Sequence, residues 1–97
     1  MVRGGYVYMM SNVFNTVIYI GVTSSLFSRV VEHKTKAYPL SFTAKYNCNK
    51  LVYFETFSSI EEAIAMEKTL KGWKRVWKNE LIEKHNPLWE DLFNDDL

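Results

Sequence analysis

Four side chains whose types suit phosphodiester chemistry lie within the first 33 residues of the chain. Tyr8 ends the string YVY, and after a gap of ten residues Tyr19 begins the string YIG. Arg29 follows eight residues after that glycine, and His33 follows four residues after Arg29. Hydroxyl, guanidinium and imidazole groups position water, bind phosphate oxygens and transfer protons. None of these residues is informative alone, but the spaced set indicates phosphodiester chemistry.

Two strands and one helix have to position these four residues. Residues 6–11 and 17–22 are rich in β-branched and aromatic side chains, which predicts an antiparallel hairpin with its turn at 12–16. Apolar side chains at helical spacing after a Thr-Ser-Ser cap predict a helix over residues 26–36. Arg29 and His33 are four residues apart in that helix, so we expect them on one face.

The rest of the chain predicts one more strand and a long helical region. Residues 37–49 have the composition of a polar, aromatic loop, and residues 51–57 predict a third strand. A helix begins near Ile60, and Gly72 predicts either a kink or two separate helices. The apolar positions predicted to form its buried side are Ile60, Ala63, Ile64, Leu70, Trp73, Trp77 and Leu81. The order β-β-α-β-α-α predicts an α+β fold, a small three-stranded antiparallel sheet flanked by helices, in a single domain over residues 1–97.

Composition excludes several classes of protein. A hydrophobic content of 47% over 97 residues is typical of one folded domain. No apolar run approaches the ~18–20 residues that span a bilayer, and the first five residues do not resemble a signal peptide. Cys48 is the one cysteine, which excludes an intramolecular disulfide framework. We therefore expect a cytoplasmic protein that does not bind membranes.

The positive charge is concentrated in two stretches, although the net charge is only +1. Residues 29–50 carry five Lys or Arg side chains against one acid, and residues 68–78 carry five with no acid. Such stretches indicate either a surface for a polyanion or an ordinary solvated helix face, and the sequence leaves both open.

Two later polar residues each have a structural and a functional interpretation. Glu67 lies three residues from both Ile64 and Leu70, along an otherwise apolar edge. Spacing alone favours a salt bridge, to Lys71 or Arg29, over a role as a ligand for Mg²⁺ or Mn²⁺. Asn86 precedes a proline, where an asparagine is more often a helix terminator than an active-site amide.

Taken together, these residues resemble the GIY-YIG nuclease superfamily over residues 6–92. The YIG string matches the second motif of the family, and the YVY string stands at the first motif with a tyrosine in place of glycine. The last residues resemble those of small, stand-alone bacterial members that are similar to the excinuclease C subunit. The positions that match the functional residues of the family are Tyr8, Tyr19, Arg29, His33, Glu67 and Asn86.

The resemblance implies a divalent-metal-dependent endonuclease that cuts DNA with little sequence specificity, in repair or processing. Arg29 would bind the phosphate oxygens, Tyr8 or Tyr19 would position or deprotonate the water, and His33 would hydrogen-bond that tyrosine or water. Glu67 would hold one Mg²⁺ or Mn²⁺ ion, and Asn86 would support the site. Branched or single-stranded DNA is the expected partner, and the residues expected to contact its backbone are Lys34, Lys45, Lys68, Lys71, Lys74, Arg75 and Lys78.

Two other interpretations remain open at this point. The first is a non-catalytic nucleic-acid-binding or partner-docking module on the same fold. The second is a homodimer that uses Trp73, Trp77 or Trp89 at its interface. Relatives in repair, homing and restriction carry further DNA-binding domains, and nothing follows Leu97 here, so we expect a targeting partner protein. We expect the protein itself to be a monomer or a weak homodimer.

Overall fold

A three-stranded antiparallel sheet forms the centre of the computed structural model, which describes residues 4–97. The strands are β1 (Gly5–Ser11), β2 (Ile18–Thr23) and β3 (Lys50–Phe57), in the spatial order β2-β1-β3. The helices are α1 (Leu26–Thr35), α2 (Phe42–Lys45), α3 (Ile60–Lys71) and α4 (Arg75–His85). The predicted α+β architecture and the antiparallel hairpin are therefore confirmed.

The register of the hairpin places the two tyrosines on the same face of the sheet. Tyr8 is paired with Gly21, and Met10 is paired with Tyr19. Paired residues share a face, and so do residues two apart along a strand, so Tyr8 and Tyr19 project to the same side.

Each face of the sheet is covered by its own hydrophobic cluster. On the first face, Leu26 and Val30 of α1 pack with Tyr8. On the second face, residues of α3 and α4, among them Leu70 and Ile82, pack with alternate residues of β1. Helix α1 therefore lies on the tyrosine face, whereas α3 and α4 lie on the opposite face.

The helical region after β3 consists of two helices separated at Gly72. At the end of α3 the Gly72 N–H donates to the Thr69 carbonyl and the Trp73 N–H donates to the Leu70 carbonyl, and α4 begins at Arg75. The sequence predicted either a kink or two separate helices at Gly72, and the structure has two separate helices. The predicted buried side is wrong at two positions, because Ile64 is 37% and Trp77 is 47% exposed.

Helix α2 lies within the segment that was predicted to be a loop. It has four residues, and the Ser41 side chain caps it by accepting a hydrogen bond from the Ala44 N–H. So short a helix leaves no periodic apolar pattern in the sequence. Among residues 4–97, no helix combines the length and the hydropathy that crossing a membrane requires.

Candidate active site

A chain of hydrogen bonds on the tyrosine face connects β1, α1 and α2. The Tyr8 hydroxyl lies 2.8 Å from Nε2 of His33, and Nδ1 of His33 lies 2.8 Å from the Thr43 hydroxyl. Both nitrogens of the imidazole therefore have partners, which fixes the orientation of the ring. Thr43 is itself buried and lies 3.3 Å from the Ser41 hydroxyl.

The rings of Tyr8, Tyr19 and His33 contact one another on this face of the sheet. The Tyr8 and Tyr19 ring centroids are 6.2 Å apart, and the His33 ring lies 5.5 Å from that of Tyr19. These are the separations of tilted and edge-on aromatic contacts, which hold rings in a defined geometry. The structure thus brings Tyr8, Tyr19 and His33 together, as the sequence predicted.

Gly21 is required because the Tyr8 ring lies directly against its backbone. A Cβ atom at this position would lie 2.5 Å from both the Tyr8 hydroxyl oxygen and its Cζ atom. That separation is far below van der Waals contact, so no larger residue fits unless Tyr8 moves. The glycine of the YIG string therefore keeps the Tyr8 hydroxyl within reach of His33.

A pocket of about 240 Å³ opens beside the imidazole. One wall consists of side chains from β2 and α1, and the other of side chains around α2. The lining residues are Tyr19, Arg29, Glu32, His33, Tyr38, Ser41, Phe42 and Thr43. Tyr8 is not among them, since it is completely buried beneath His33.

The Arg29 guanidinium lines this pocket and forms an ion pair with Glu32. Arg29 donates to the Glu32 carboxylate at 3.2 Å, and the Tyr38 hydroxyl donates to the other carboxylate oxygen at 3.4 Å. The Arg29 side chain is 40% exposed and the Glu32 side chain is 35% exposed. Their ion pair is therefore weak, and a phosphate can compete for the guanidinium.

Burial and the nearby guanidinium determine the protonation states in the site. Burial raises the pKa of Tyr8, and the Arg29 guanidinium partly opposes this rise. Burial, followed by the positive charge of Arg29, lowers the pKa of His33 to about 4. Contact with Tyr8 is the main cause that raises the pKa of Arg29. At neutral pH the site therefore holds a neutral phenol, a neutral imidazole and a guanidinium cation.

These protonation states predict a pH-dependent stability. The pKa of His33 is about 4 in the folded protein and 6.5 in an exposed histidine, so the unfolded chain binds the proton more tightly. The stability that neutral His33 contributes is present above pH 6.5 and is lost as the pH falls toward 4. We expect urea unfolding to show a steeper loss of stability over this range in the wild type than in His33→Gln. Identical pH dependences in the two proteins would contradict the half-buried, neutral imidazole.

Glu67 does not line the pocket. It belongs to α3, whose buried residues pack on the opposite face of the sheet. Its carboxylate is 16% exposed and pairs with Nζ of Lys71 at 3.4 Å, which is one of the two salt bridges that the sequence left open. Lys71, however, reaches around the edge strand β2 into a second pocket of about 290 Å³, and that pocket also contacts Tyr19.

The donor set around Glu67 is compatible with a hard divalent cation. Among residues 4–97 there is no group of three or more His, Cys, Asp and Glu side chains that could hold a metal ion. Mg²⁺ characteristically binds one or two carboxylates and completes its shell with waters and phosphate oxygens. A single carboxylate with an exposed, displaceable lysine partner fits that pattern.

Asn86 is separate from the pocket and stabilises the C-terminal segment. Its Nδ2 group donates to the carbonyls of Val52 at 3.1 Å and Glu90 at 2.8 Å, and its Oδ1 accepts from the Glu90 N–H. The side chain is 6% exposed, so these bonds are protected from water. The structure thus gives Asn86 the role of a buried clamp between β3 and the tail.

Two of the basic residues expected to contact DNA form structural contacts instead. Arg75 donates to the carbonyls of Asn15 at 2.8 Å and Thr16 at 3.0 Å, which attaches α4 to the β1–β2 turn. Lys34 pairs with Asp91 and donates to the Asn49 carbonyl at 2.9 Å, so it holds the tail against α1. Neither side chain is free to follow a phosphate backbone without breaking these contacts.

Three of the five other predicted cations lie beside the aromatic edge of the site. Lys71 and Lys78 line the second pocket beside Tyr19, and Lys45 lies over the Tyr46 ring at 5.4 Å. Lys68 is exposed, and Lys74 lies 5.8 Å from the centroid of the Trp77 ring.

Of the tryptophans considered for a dimer interface, Trp89 is buried and its indole donates to Glu83, which leaves Trp73 and Trp77.

Five residues that line the pocket were not predicted as site residues from the sequence: Glu32, Tyr38, Ser41, Phe42 and Thr43. Glu32 lies three residues after Arg29, so helical spacing could have predicted their ion pair. Thr43 and Phe42 belong to α2, which has no sequence signal beyond a capping serine. The positions of Thr43 and Phe42 depend on the tertiary packing of a segment whose sequence predicts a loop.

The chain is similar to a known family and to a solved structure. A family model described as the GIY-YIG catalytic domain matches residues 4–80. The solution NMR structure of the UPF0213 protein BH0048 from Bacillus halodurans is 25% identical, with a TM-score of 0.57 over 91% of this chain and 92% of that chain. No curated protein matches significantly. The matches confirm the resemblance drawn from the motifs.

Proposed function

The chain belongs to the GIY-YIG family, whose catalytic domain implies a nuclease-type function, and from this we propose a divalent-metal-dependent DNA endonuclease with little sequence specificity. The observation that carries the proposal is the convergence of Tyr19, Arg29 and His33 on one pocket. We associate the activity with repair or processing of branched or single-stranded DNA.

Arg29 is the residue that binds the scissile phosphate in this proposal. Its guanidinium is the cation among the lining residues of the pocket, and its fork of N–H donors matches the oxygens of a phosphate. The developing negative charge at phosphorus is stabilised by such fixed donors. When the phosphate enters, it replaces the exposed Glu32 carboxylate as the partner of Arg29.

The two tyrosines have different environments and therefore different roles. Tyr19 lines the pocket, so its hydroxyl can position the attacking water. Tyr8 is fully buried, its raised pKa keeps it a neutral phenol, and its hydroxyl contacts His33 rather than the pocket. We assign the direct contact with water to Tyr19, and to Tyr8 the positioning of His33.

GIY-YIG domains typically depend on a divalent metal ion, and Glu67 is the residue we assign to Mg²⁺ or Mn²⁺ here. When bound, such an ion supplies Lewis-acid stabilisation of the phosphate and of the leaving oxygen. Glu67 can bind the ion only if its salt bridge to Lys71 breaks. Because Lys71 is exposed, breaking that salt bridge costs little free energy.

A second candidate function follows from the position of Glu67. Because its carboxylate is ion-paired and lies outside the pocket, the same cations and pocket also suit a module that binds nucleic acid without cutting it. Salt-sensitive DNA binding by the purified chain, without cleavage in Mg²⁺ or Mn²⁺, would support this candidate.

Replacing Glu67 with alanine separates the two functions. We expect the wild type to cut at least one of single-stranded, duplex and branched DNA in Mg²⁺ or Mn²⁺. Loss of the metal ligand should slow that cleavage at least about a hundredfold. Labelled DNA substrates on denaturing gels give the rates.

Glu61→Ala is the matched control, since it removes an exposed carboxylate from the first turn of the same helix. It should cut like the wild type. Absence of cleavage on every substrate, or equal rates in Glu67→Ala and wild type, would refute the proposed nuclease.

A further inference from the structure

Three aromatic side chains form a partly exposed surface that leads away from the pocket. The Tyr19 and Phe42 centroids are 6.1 Å apart, and the Phe42 and Tyr46 centroids are 4.7 Å apart. Phe42 is 46% and Tyr46 is 42% exposed, so both present an apolar ring to solvent. We call these three residues, Tyr19, Phe42 and Tyr46, the aromatic shelf.

The aromatic shelf joins three depressions in the surface. Phe42 and Tyr19 line both the catalytic pocket and the second pocket across β2. Tyr46 lines a further cavity of about 350 Å³, together with Val13 and Phe14 of the β1–β2 turn. Phe14 is 79% exposed, so the apolar surface continues beyond Tyr46. A ligand on the shelf would therefore extend directly from the pocket that holds Arg29.

Positively charged side chains accompany the shelf. Lys71 and Lys78 line the second pocket with Phe42, and Lys45 lies against Tyr46. A surface that binds only an apolar partner seldom needs such cations. A nucleic-acid strand uses aromatic rings and cations together, because its bases stack on the rings and its phosphates pair with lysines.

From this juxtaposition we propose that the aromatic shelf binds unpaired nucleobases beside the phosphate held at Arg29. The place of that phosphate rests on the proposed function, whereas the binding of bases to the shelf does not. A base inside a duplex is stacked between its neighbours and cannot cover an aromatic side chain. The shelf therefore selects strands with unpaired nucleotides, such as single strands, flaps and frayed ends.

The test compares two strands that differ only in their bases. One is a short oligothymidylate, and the other is an abasic strand with the same number of phosphates. Both are titrated in EDTA, so that binding is measured without cleavage. We expect the wild type to bind the oligothymidylate about tenfold more tightly than the abasic strand, because each stacked base contributes to affinity.

Variants at Phe42 identify the shelf as the cause of this preference. Phe42→Ala should bind oligothymidylate about tenfold more weakly and leave abasic binding unchanged, whereas Phe42→Trp, which keeps a ring, should retain the preference. Leu88→Ala is the matched control, since it removes an exposed apolar side chain from the tail. Circular dichroism checks that each variant is folded.

The outcomes separate this proposal from the nuclease. Equal affinity for the two strands, or a preference that survives Phe42→Ala, overturns the base-binding shelf even if the protein cuts DNA. A preference that Phe42→Ala abolishes and Phe42→Trp restores supports the shelf even if no substrate is cut.

Discussion

Replacing Gly21 with alanine is expected to abolish most of the cleavage activity and to destabilise the fold. The new Cβ atom would lie 2.5 Å from the Tyr8 hydroxyl oxygen, so the Tyr8 ring has to move. Tyr8 is fully buried, and overpacking against a buried ring costs about 1–3 kcal/mol. The same movement breaks the 2.8 Å contact with His33, which orients the imidazole.

Gly72→Ala is the matched substitution. At Gly72 the nearest atom to a new Cβ is 3.5 Å away, and the backbone φ of −82° is one that alanine adopts readily. Alanine there should change stability by less than about 1 kcal/mol, with a gain from the lower entropy of the unfolded chain. Urea unfolding and DNA cleavage of both variants give the comparison. A Gly21→Ala protein as stable and active as Gly72→Ala would contradict the packing of Tyr8 against the YIG glycine.

Replacing Arg29 with lysine is expected to slow cleavage by about a hundredfold while the fold is retained. Lysine keeps the positive charge but has no planar fork of donors, so it cannot hold two phosphate oxygens at once. Loss of one fixed donor to a developing charge typically costs about 10²–10³ in rate. The Arg29 side chain is 40% exposed, so the substitution should alter stability little.

Single-turnover cleavage with saturating enzyme measures this effect apart from DNA affinity. Lys84→Ala, which removes an exposed cation from the far end of α4, should cut at the wild-type rate. Arg29→Lys cutting as fast as Lys84→Ala would show that the guanidinium serves only as a charge, and the assigned role would be wrong.

The hairpin and its site residues could be predicted because they depend on local patterns. Runs of β-branched and aromatic residues define the two strands, and the turn between them contains Asn15, whose φ of 58° is a conformation that asparagine tolerates. Arg29 and His33 share a helix face by spacing alone. These features needed no knowledge of tertiary packing, and the structure agrees with each of them.

The placement of Glu67 could not be predicted for a physical reason. Strand β1 is buried along almost its whole length on both faces, so its sequence does not indicate which face receives which helix. Helix α3 packs on the face opposite the tyrosines, and of the Glu67–Lys71 ion pair only Lys71 lines the second pocket beside Tyr19. Of the predicted site residues, the structure brings Tyr19, Arg29 and His33 to one pocket.

Helix α2 shows a second limit of sequence reasoning. Its four residues place Thr43 against His33 and Phe42 beside Tyr19, yet nothing in their order differs from a loop. Their positions depend on Ser41 capping the helix and on burial of Thr43 and Ala44. Site residues that belong to so short a helix cannot be predicted from sequence patterns, because their positions depend on tertiary packing.

The most direct test of the account is the position of phosphorus in a crystal structure of this chain with an uncleavable phosphorothioate oligonucleotide. We predict a backbone phosphate within hydrogen-bond distance of the Arg29 guanidinium, beside Tyr19 and His33, with Glu32 displaced. A strand bound elsewhere, with the Arg29–Glu32 pair intact and the pocket empty of phosphate, would contradict the assignment of this pocket as the site of phosphodiester hydrolysis.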